Sequence, residues 1–139
     1  MVPNLLSRLL SGFAAATVLA PLAAFAAATH QGDPAAGKIM YTECAGCHAF
    51  NINKIGPKHC GVVGRKAGGV ADFANYSEAM TESKLVWNEK NISAFLADPE
   101  GFLPDTTMQY AGVPDEESRL DLIAYLKQQD ADPKVCPKK

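Results

Sequence analysis

The chain has 139 residues and a formal net charge of −2, and 47% of its residues are hydrophobic. A length of this order predicts one small domain. The slightly acidic balance argues against binding along a phosphate backbone, which needs a cationic surface, so we expect no nucleic-acid partner.

The N-terminal part of the chain has the features of an export signal. Arg8 is followed by an apolar, Ala-rich run from Leu9 to Ala28, and Ala24-Phe25-Ala26 offers the small-x-small pattern of a signal-peptidase site. We predict a signal peptide over residues 1–26, or a cut after Ala28, and a single exported domain over residues 27–139, in a bacterial periplasm. An uncleaved anchor is the alternative, because the run is nearly long enough to span a bilayer.

Four helices are predicted in the remaining chain, because capping residues or a favourable first turn begin each of them. They are Asp33-Pro34 through Cys47, Ser77 through Ser83, Asn88 to a stop at Asp98-Pro99, and Pro114 through Gln129. Residues 100–112 are predicted to be irregular, and residues 130–139 to form a polar C-terminal tail. No stretch alternates as a strand does. The predicted fold class is all-α, with long loops that need a further group to organise them.

Residues 44–48, Cys-Ala-Gly-Cys-His, match the attachment motif of a c-type haem. Two thiols at this spacing can bond to the two vinyl groups of one porphyrin, and His48 can then ligate the iron. A zinc site is the main competitor, since Cys44 and Cys47 with Cys60 and a histidine, His48 or His59, would supply tetrahedral nitrogen and sulfur ligands. Zinc, however, does not need a histidine directly after the second cysteine. A thioredoxin-like redox pair would need a βαβ setting, which the helical pattern does not provide.

The second axial position of the iron has several candidate ligands. These are His30, His59, Met40, Met80 and Met108, with water as a further alternative. Met108 is favoured because it lies in a loop from which its side chain can reach inward over the ring. Met80 stays the alternative, although a methionine in a short helix is more often a core residue.

Two of the four cysteines remain once Cys44 and Cys47 are assigned to the haem. Exported proteins mature in an oxidising compartment, where a leftover pair is commonly a disulfide. We therefore predict a disulfide between Cys60 and Cys136, with two free thiols as the alternative.

In combination, these motifs make the sequence similar to the class I c-type cytochromes, the group of mitochondrial cytochrome c and its bacterial periplasmic relatives. The resemblance runs from about Gly32 to Lys127, in the family's order. It includes Gly37-x3-Tyr41, the haem motif, Gly56-Pro57, Gly64-Arg65-Lys66, Phe73, Tyr76-Ser77, Trp87, Pro99, Pro104, Met108, Ala111-Gly112 and the run from Arg119 to Lys127.

The resemblance implies a small cytochrome c fold of three to five helices around one covalently bound haem c. Its first and last helices would cross where Gly37 and Tyr41 pack against Tyr125. Met108 would be the second axial ligand, and the Pro57 carbonyl would accept the other imidazole N–H of His48. The haem propionates would be bonded by Tyr76, Trp87 and Thr106, with the charge of Arg65 beside them.

The function that the resemblance implies is one-electron transfer, because an iron with both axial positions filled has no place for a substrate. We therefore expect a soluble carrier and no enzyme. The expected partners are redox proteins: a bc-type complex, a periplasmic dehydrogenase, a terminal oxidase or a reaction centre, with peripheral contact to membrane complexes by a monomer. A peroxidase or sensor is the rival function, and it needs a sixth ligand that dissociates.

The sequence departs from the family's pattern in places that concern the site and its partners. The loop between His48 and Pro57 is short, and Phe95 replaces a tyrosine whose hydroxyl approaches the methionine sulfur. Lysines that surround the haem edge in mitochondrial-type proteins are replaced by Glu43, Glu100, Gly101 and Thr107. We therefore expect no ring of lysines to steer an acidic partner.

Overall fold

The computed structural model describes residues 30–138, and the predicted signal peptide lies outside them. Within the described range the chain forms five helices and no strand, which confirms the all-α prediction. The helices are α1 (Pro34–Cys44), α2 (Glu78–Glu82), α3 (Glu89–Ala97), α4 (Pro99–Phe102) and α5 (Glu116–Ala131). Among these helices, none combines the length and the apolar character that crossing a bilayer requires.

Each helix begins at a side chain that accepts a hydrogen bond from a backbone N–H of the first turn. These caps are Asp33, Ser77, Asn88, Asp98 and Asp115. Because the first N–H groups of a helix have no partner within it, a short polar side chain at this position stabilises the start. The predicted starts at Asp33, Ser77 and Asn88 are therefore confirmed.

The prediction of irregular chain from residue 100 was wrong for its first turn. Asp98 lies in extended backbone after α3 and also caps α4, where its carboxylate accepts from the Gly101 N–H at 3.0 Å. Pro99 occupies the first position of α4, where its missing N–H would have no partner in any case. The same dipeptide therefore ends one helix and begins the next.

Helices α1 and α5 cross in close contact. A Cβ atom at Gly37 would lie 2.0 Å from the Asp121 carbonyl oxygen, so the backbones can approach this closely only at a glycine. One turn further along α1, Tyr41 packs edge-on against Tyr125 of α5, with ring centroids 5.5 Å apart. The first and last helices thus cross through the residues that the resemblance implied.

The long loop between α1 and α2 is held to the chain before α3. The Gly64 N–H donates to the Trp87 carbonyl, and the Trp87 N–H donates to the Arg65 carbonyl, both at 2.8 Å. Lys66 and Val86 form an isolated antiparallel bridge beside these bonds. These bonds fix Arg65 and Trp87 next to each other, and both side chains face the same cavity.

Candidate haem-binding site

A cavity of about 320 Å³ lies between the loops and the buried faces of α3 and α5. Apolar side chains form much of its wall, among them Ile92, Phe95, Leu122 and Leu126. The structure brings every haem-related residue predicted from the sequence to this wall: Cys44, Cys47, His48, Pro57, Arg65, Tyr76, Trp87, Thr106 and Met108.

A tight turn at the end of α1 determines where the two thiols of the motif lie. The helix ends at Cys44, earlier than the predicted end at Cys47. Beyond it the Cys47 N–H donates to the Cys44 carbonyl at 3.1 Å, which is a tighter turn than that of an α-helix, and the His48 N–H donates to the same carbonyl at 2.9 Å. Cys44 and Cys47 are not disulfide-bonded. Burial raises the pKa of the Cys44 thiol to about 11. The turn therefore presents two thiols and one imidazole to a single cavity.

The imidazole of His48 is held in one orientation. Its Nδ1 lies 2.8 Å from the Pro57 carbonyl oxygen, to which it must donate, so Nε2 keeps a free lone pair for a metal. A Cβ atom at Gly56 would lie 2.2 Å from Cε1 of the ring, so the backbone approaches the imidazole closely. Burial lowers the pKa of His48, which favours the neutral form that ligates a metal.

A second histidine stacks on this imidazole, which the sequence did not indicate. The rings of His59 and His48 are 4.2 Å apart at their centroids and inclined by 20°. Nδ1 of His59 lies 3.2 Å from the Tyr41 hydroxyl. Burial lowers the pKa of His59 to about 3, so this ring is neutral as well.

The candidate ligands for the second axial position divide into two groups. His59, Met80 and Met108 line the cavity. His30 lies elsewhere, with Nε2 2.5 Å from a carboxylate oxygen of Asp121, and Met40 packs against the hydrophobic core and is not part of the cavity wall. Three candidates for the second axial ligand therefore lie at the cavity: the thioethers of Met80 and Met108, and His59, whose ring stacks on His48.

The polar part of the cavity wall contains a cation without an ionic partner. Arg65 donates from Nη1 to the Cys60 carbonyl at 2.9 Å and from Nη2 to the Lys58 carbonyl at 3.0 Å. No carboxylate forms a salt bridge with this guanidinium in the described part of the chain. A partly buried cation of this kind favours an anionic group in the cavity.

Two neutral polar side chains lie at the same wall as this cation. The Tyr76 hydroxyl accepts from the Val70 N–H at 3.3 Å, and its own proton stays available for a further acceptor. Thr106 is 4% exposed and its hydroxyl accepts from the Met108 N–H at 3.4 Å. A covalently bound haem with its two propionates fits this combination of groups: two thiols, an oriented neutral imidazole, a thioether, an apolar wall and a cation.

The remaining cysteines are joined to each other. Cys60 and Cys136 form a disulfide with Cα atoms 5.4 Å apart, across a sequence separation of 76 residues. This bond links the loop after Pro57 to the chain after α5. Because Cys60 is bonded to Cys136, it is not free to complete the zinc set considered from the sequence.

Comparison with known proteins agrees with this site. A family model described as Cytochrome c matches residues 34–130. Cytochrome c of Theileria annulata is 43% identical over 102 residues, which cover 70% of this chain and 87% of that protein. Cytochrome c2 of Blastochloris viridis is 40% identical over 114 residues, which cover 80% of this chain and 89% of that protein. Cytochrome cH from Methylobacterium extorquens has a similar structure, with a TM-score of 0.68 and 42% identity over 70% of this chain and 99% of that one.

The fold and the site thus define a protein of the c-type haem class. The chain belongs to the cytochrome c family. It carries one covalently attached haem c with its iron, and it functions as an electron carrier.

Proposed function

We propose that the protein carries single electrons through an iron ligated by His48 and Met108, and that it has no enzymatic activity. The observation that supports this most directly is the cavity wall, on which a neutral imidazole and a thioether both lie. A thioether favours ferrous iron and raises the reduction potential. With both axial positions filled, the iron has no coordination site for a substrate.

The residues of the chain would each have a separate task in this function. When bound, haem c supplies an iron that changes oxidation state by one electron. Pro57 and His59 hold the His48 ring in place, so the ligand moves little between the two states. The apolar wall excludes water, and Arg65, Tyr76, Trp87 and Thr106 would meet the propionates.

The compartment and the partners form part of the same proposal. A signal peptide over residues 1–26 and a disulfide both support export to an oxidising compartment, the bacterial periplasm. The partners proposed are redox proteins that donate or accept one electron: a bc-type complex, a periplasmic dehydrogenase, a terminal oxidase or a reaction centre.

Spectroscopy of the purified holoprotein tests the ligation and the function together. We expect the oxidised protein to show the sulfur-to-iron absorption band, and the reduced protein not to bind carbon monoxide at neutral pH. Stopped-flow mixing with a bc-type complex should reduce it rapidly. A missing sulfur-to-iron band, together with turnover of hydrogen peroxide, would instead identify a peroxidase with an open sixth site.

A further inference from the structure

The Arg65 guanidinium is held by a short segment of backbone and not by a carboxylate. Its two bonds go to the carbonyls of Lys58 and Cys60, at 3.0 and 2.9 Å. These two carbonyls belong to one stretch of loop, residues 58–61, which we call the guanidinium cradle. The position of the charge therefore depends on the position of the cradle.

The guanidinium cradle is attached on its outer side to the C-terminal part of the chain. The disulfide joins Cys60 to Cys136, which is itself 6% exposed. Next to it, a carboxylate oxygen of Asp130 accepts from the Gly61 N–H at 2.5 Å. On its inner side the cradle has non-covalent contacts: the His59 and Cys60 N–H groups donate to the Ala49 and Phe50 carbonyls at 2.9 and 2.8 Å, and Nδ1 of His59 lies 3.2 Å from the Tyr41 hydroxyl of α1. The Lys58 N–H also donates to the Asn53 side chain at 3.0 Å. The disulfide is thus the covalent link between the cradle and the far end of α5.

The Arg65 guanidinium, which the cradle holds, lies where little water reaches it. Arg65 is only partly exposed and lines the cavity. Burial lowers its pKa below the ordinary value, while Tyr76 and Asp130 favour the charged form. Because charges interact more strongly where water is scarce, a small movement of this guanidinium toward solvent would weaken its effect inside the cavity.

We infer that the Cys60–Cys136 disulfide positions Arg65, by fixing the guanidinium cradle, and thereby raises the reduction potential of the haem. A positive charge near the iron favours the ferrous state, which carries one positive charge less. The inference rests on the proposed function in one respect only, that Arg65 lies on the propionate side of the haem. Cys60 and Cys136 are positioning residues in this arrangement, since they act through Arg65.

A double-mutant cycle on the holoprotein tests the inference, with the midpoint potential from spectroelectrochemistry as the readout. The four proteins are the wild type, Cys60→Ala/Cys136→Ala, Arg65→Gln, and the combination of all three substitutions. We expect the disulfide variant to have a lower potential than the wild type. In the Arg65→Gln background the same two substitutions should leave the potential unchanged, because the charge that the disulfide positions is gone.

Two controls separate this effect from a general loss of stability. Ile123→Val truncates a side chain that is 1% exposed and is not part of the cavity wall, so it should weaken the fold without moving the potential. Reducing the disulfide in the folded wild type with a phosphine, which is itself oxidised, and alkylating the two thiols formed removes the same S–S bond without substituting either residue. The thioether bonds to the haem contain no S–S bond and survive this treatment.

The possible results differ clearly. A fall in potential of the same size in both backgrounds, or no fall in the wild-type background, would overturn the inference while leaving the proposed function intact. If Arg65→Gln by itself leaves the potential unchanged, the assignment of Arg65 to the propionate side fails, and the inference fails with it.

Discussion

The hydroxyl of Tyr110 donates a hydrogen bond to the carboxylate of Glu43, with an O···O distance of 2.7 Å. Tyr110 follows the proposed ligand Met108 by two residues, and Glu43 directly precedes Cys44. The bond thus links the methionine loop to the haem-attachment helix. Burial, reinforced by Glu43, raises the pKa of Tyr110 to about 12, so its hydroxyl keeps its proton through the neutral range.

Replacing Tyr110 by Phe should loosen the methionine loop while leaving the ring in place. A hydrogen bond of this kind contributes about 1 kcal/mol, so the sulfur-to-iron band should disappear at a lower guanidinium concentration than in the wild type. Far-UV circular dichroism measured in parallel reports global unfolding. Glu43→Gln is the matched control, because the amide oxygen can still accept the bond. If the guanidinium concentration at which the band disappears falls equally in both variants, or does not fall in Tyr110→Phe, the role given to this bond is contradicted.

Replacing Met108 by Ala should open the sixth coordination site. We expect the sulfur-to-iron band to vanish, the reduction potential to fall, and the reduced protein to bind carbon monoxide. Met80→Ala is the informative comparison, since Met80 also lines the cavity. If Met80→Ala produces these changes and Met108→Ala leaves the spectrum unaltered, the ligand is Met80.

The hydrogen bond to Asp121 raises the pKa of His30 above its ordinary value. A group whose pKa is raised on folding stabilises the native chain below its unfolded pKa, about 6.5, and this contribution is lost as pH rises through the folded pKa. Proton NMR should therefore show the His30 ring titrating above 6.5, and Asp121→Asn should bring it back toward that value. His59 should not titrate in the same range. A His30 pKa at or below the ordinary value would mean that the pair does not form in solution.

The disulfide should contribute substantially to stability, because it closes a long loop of the unfolded chain. The chain-entropy model gives on the order of 4 kcal/mol for a loop of this length. Chemical denaturation of the oxidised holoprotein and of Cys60→Ala/Cys136→Ala should show the corresponding difference in unfolding free energy. Mass spectrometry of the unreduced protein provides the direct check. Two thiols that react with an alkylating reagent on the intact haem protein would show that the bond is absent.

The reaction with a mitochondrial-type oxidase should be slow and only weakly accelerated at low ionic strength. Three lysines could offer a smaller positive patch on the His48 side: Lys38, Lys54 and Lys58. Two of them have partners within the chain, since Lys54 donates to the Ala45 carbonyl and Lys58 pairs with Asp72 at 2.9 Å. Salt screens charges over about 10 Å at 0.1 M, so a cationic docking face would show a steep loss of rate with added salt.

Oxidation rates measured from low to high salt test this expectation. Glu100→Lys/Thr107→Lys adds cations at two exposed positions and should make the rate both faster and more sensitive to salt. Fast turnover by the wild type that collapses on adding salt would reveal a cationic face that these residues do not explain.

Much of the site was predictable because its chemistry is local in sequence. The spacing of Cys44, Cys47 and His48 determines the haem attachment within five residues, and the capping side chains of Asp33 and Asn88 act on N–H groups of the next turn. The end of α3 at Asp98 was predictable for the same reason. The start of α4 was not, because Asp98-Pro99 satisfies the rules for stopping a helix and for beginning one.

Contacts between distant segments depended on how the helices cross, and rules of residue spacing do not predict such contacts. The bond between Tyr110 and Glu43 and the disulfide between Cys60 and Cys136 are contacts of this kind. The stack of His59 on His48 and the guanidinium cradle of Arg65 join residues of one irregular loop, where no helix or strand period predicts which side chains meet. The sequence by itself determined the cofactor, its attachment and the starts of α1, α2 and α3, since neighbouring residues fix covalent chemistry and capping. Only the tertiary structure decided which side chains restrain the ligands and the charge, because those contacts depend on the path of irregular loops and on packing between segments far apart in the chain.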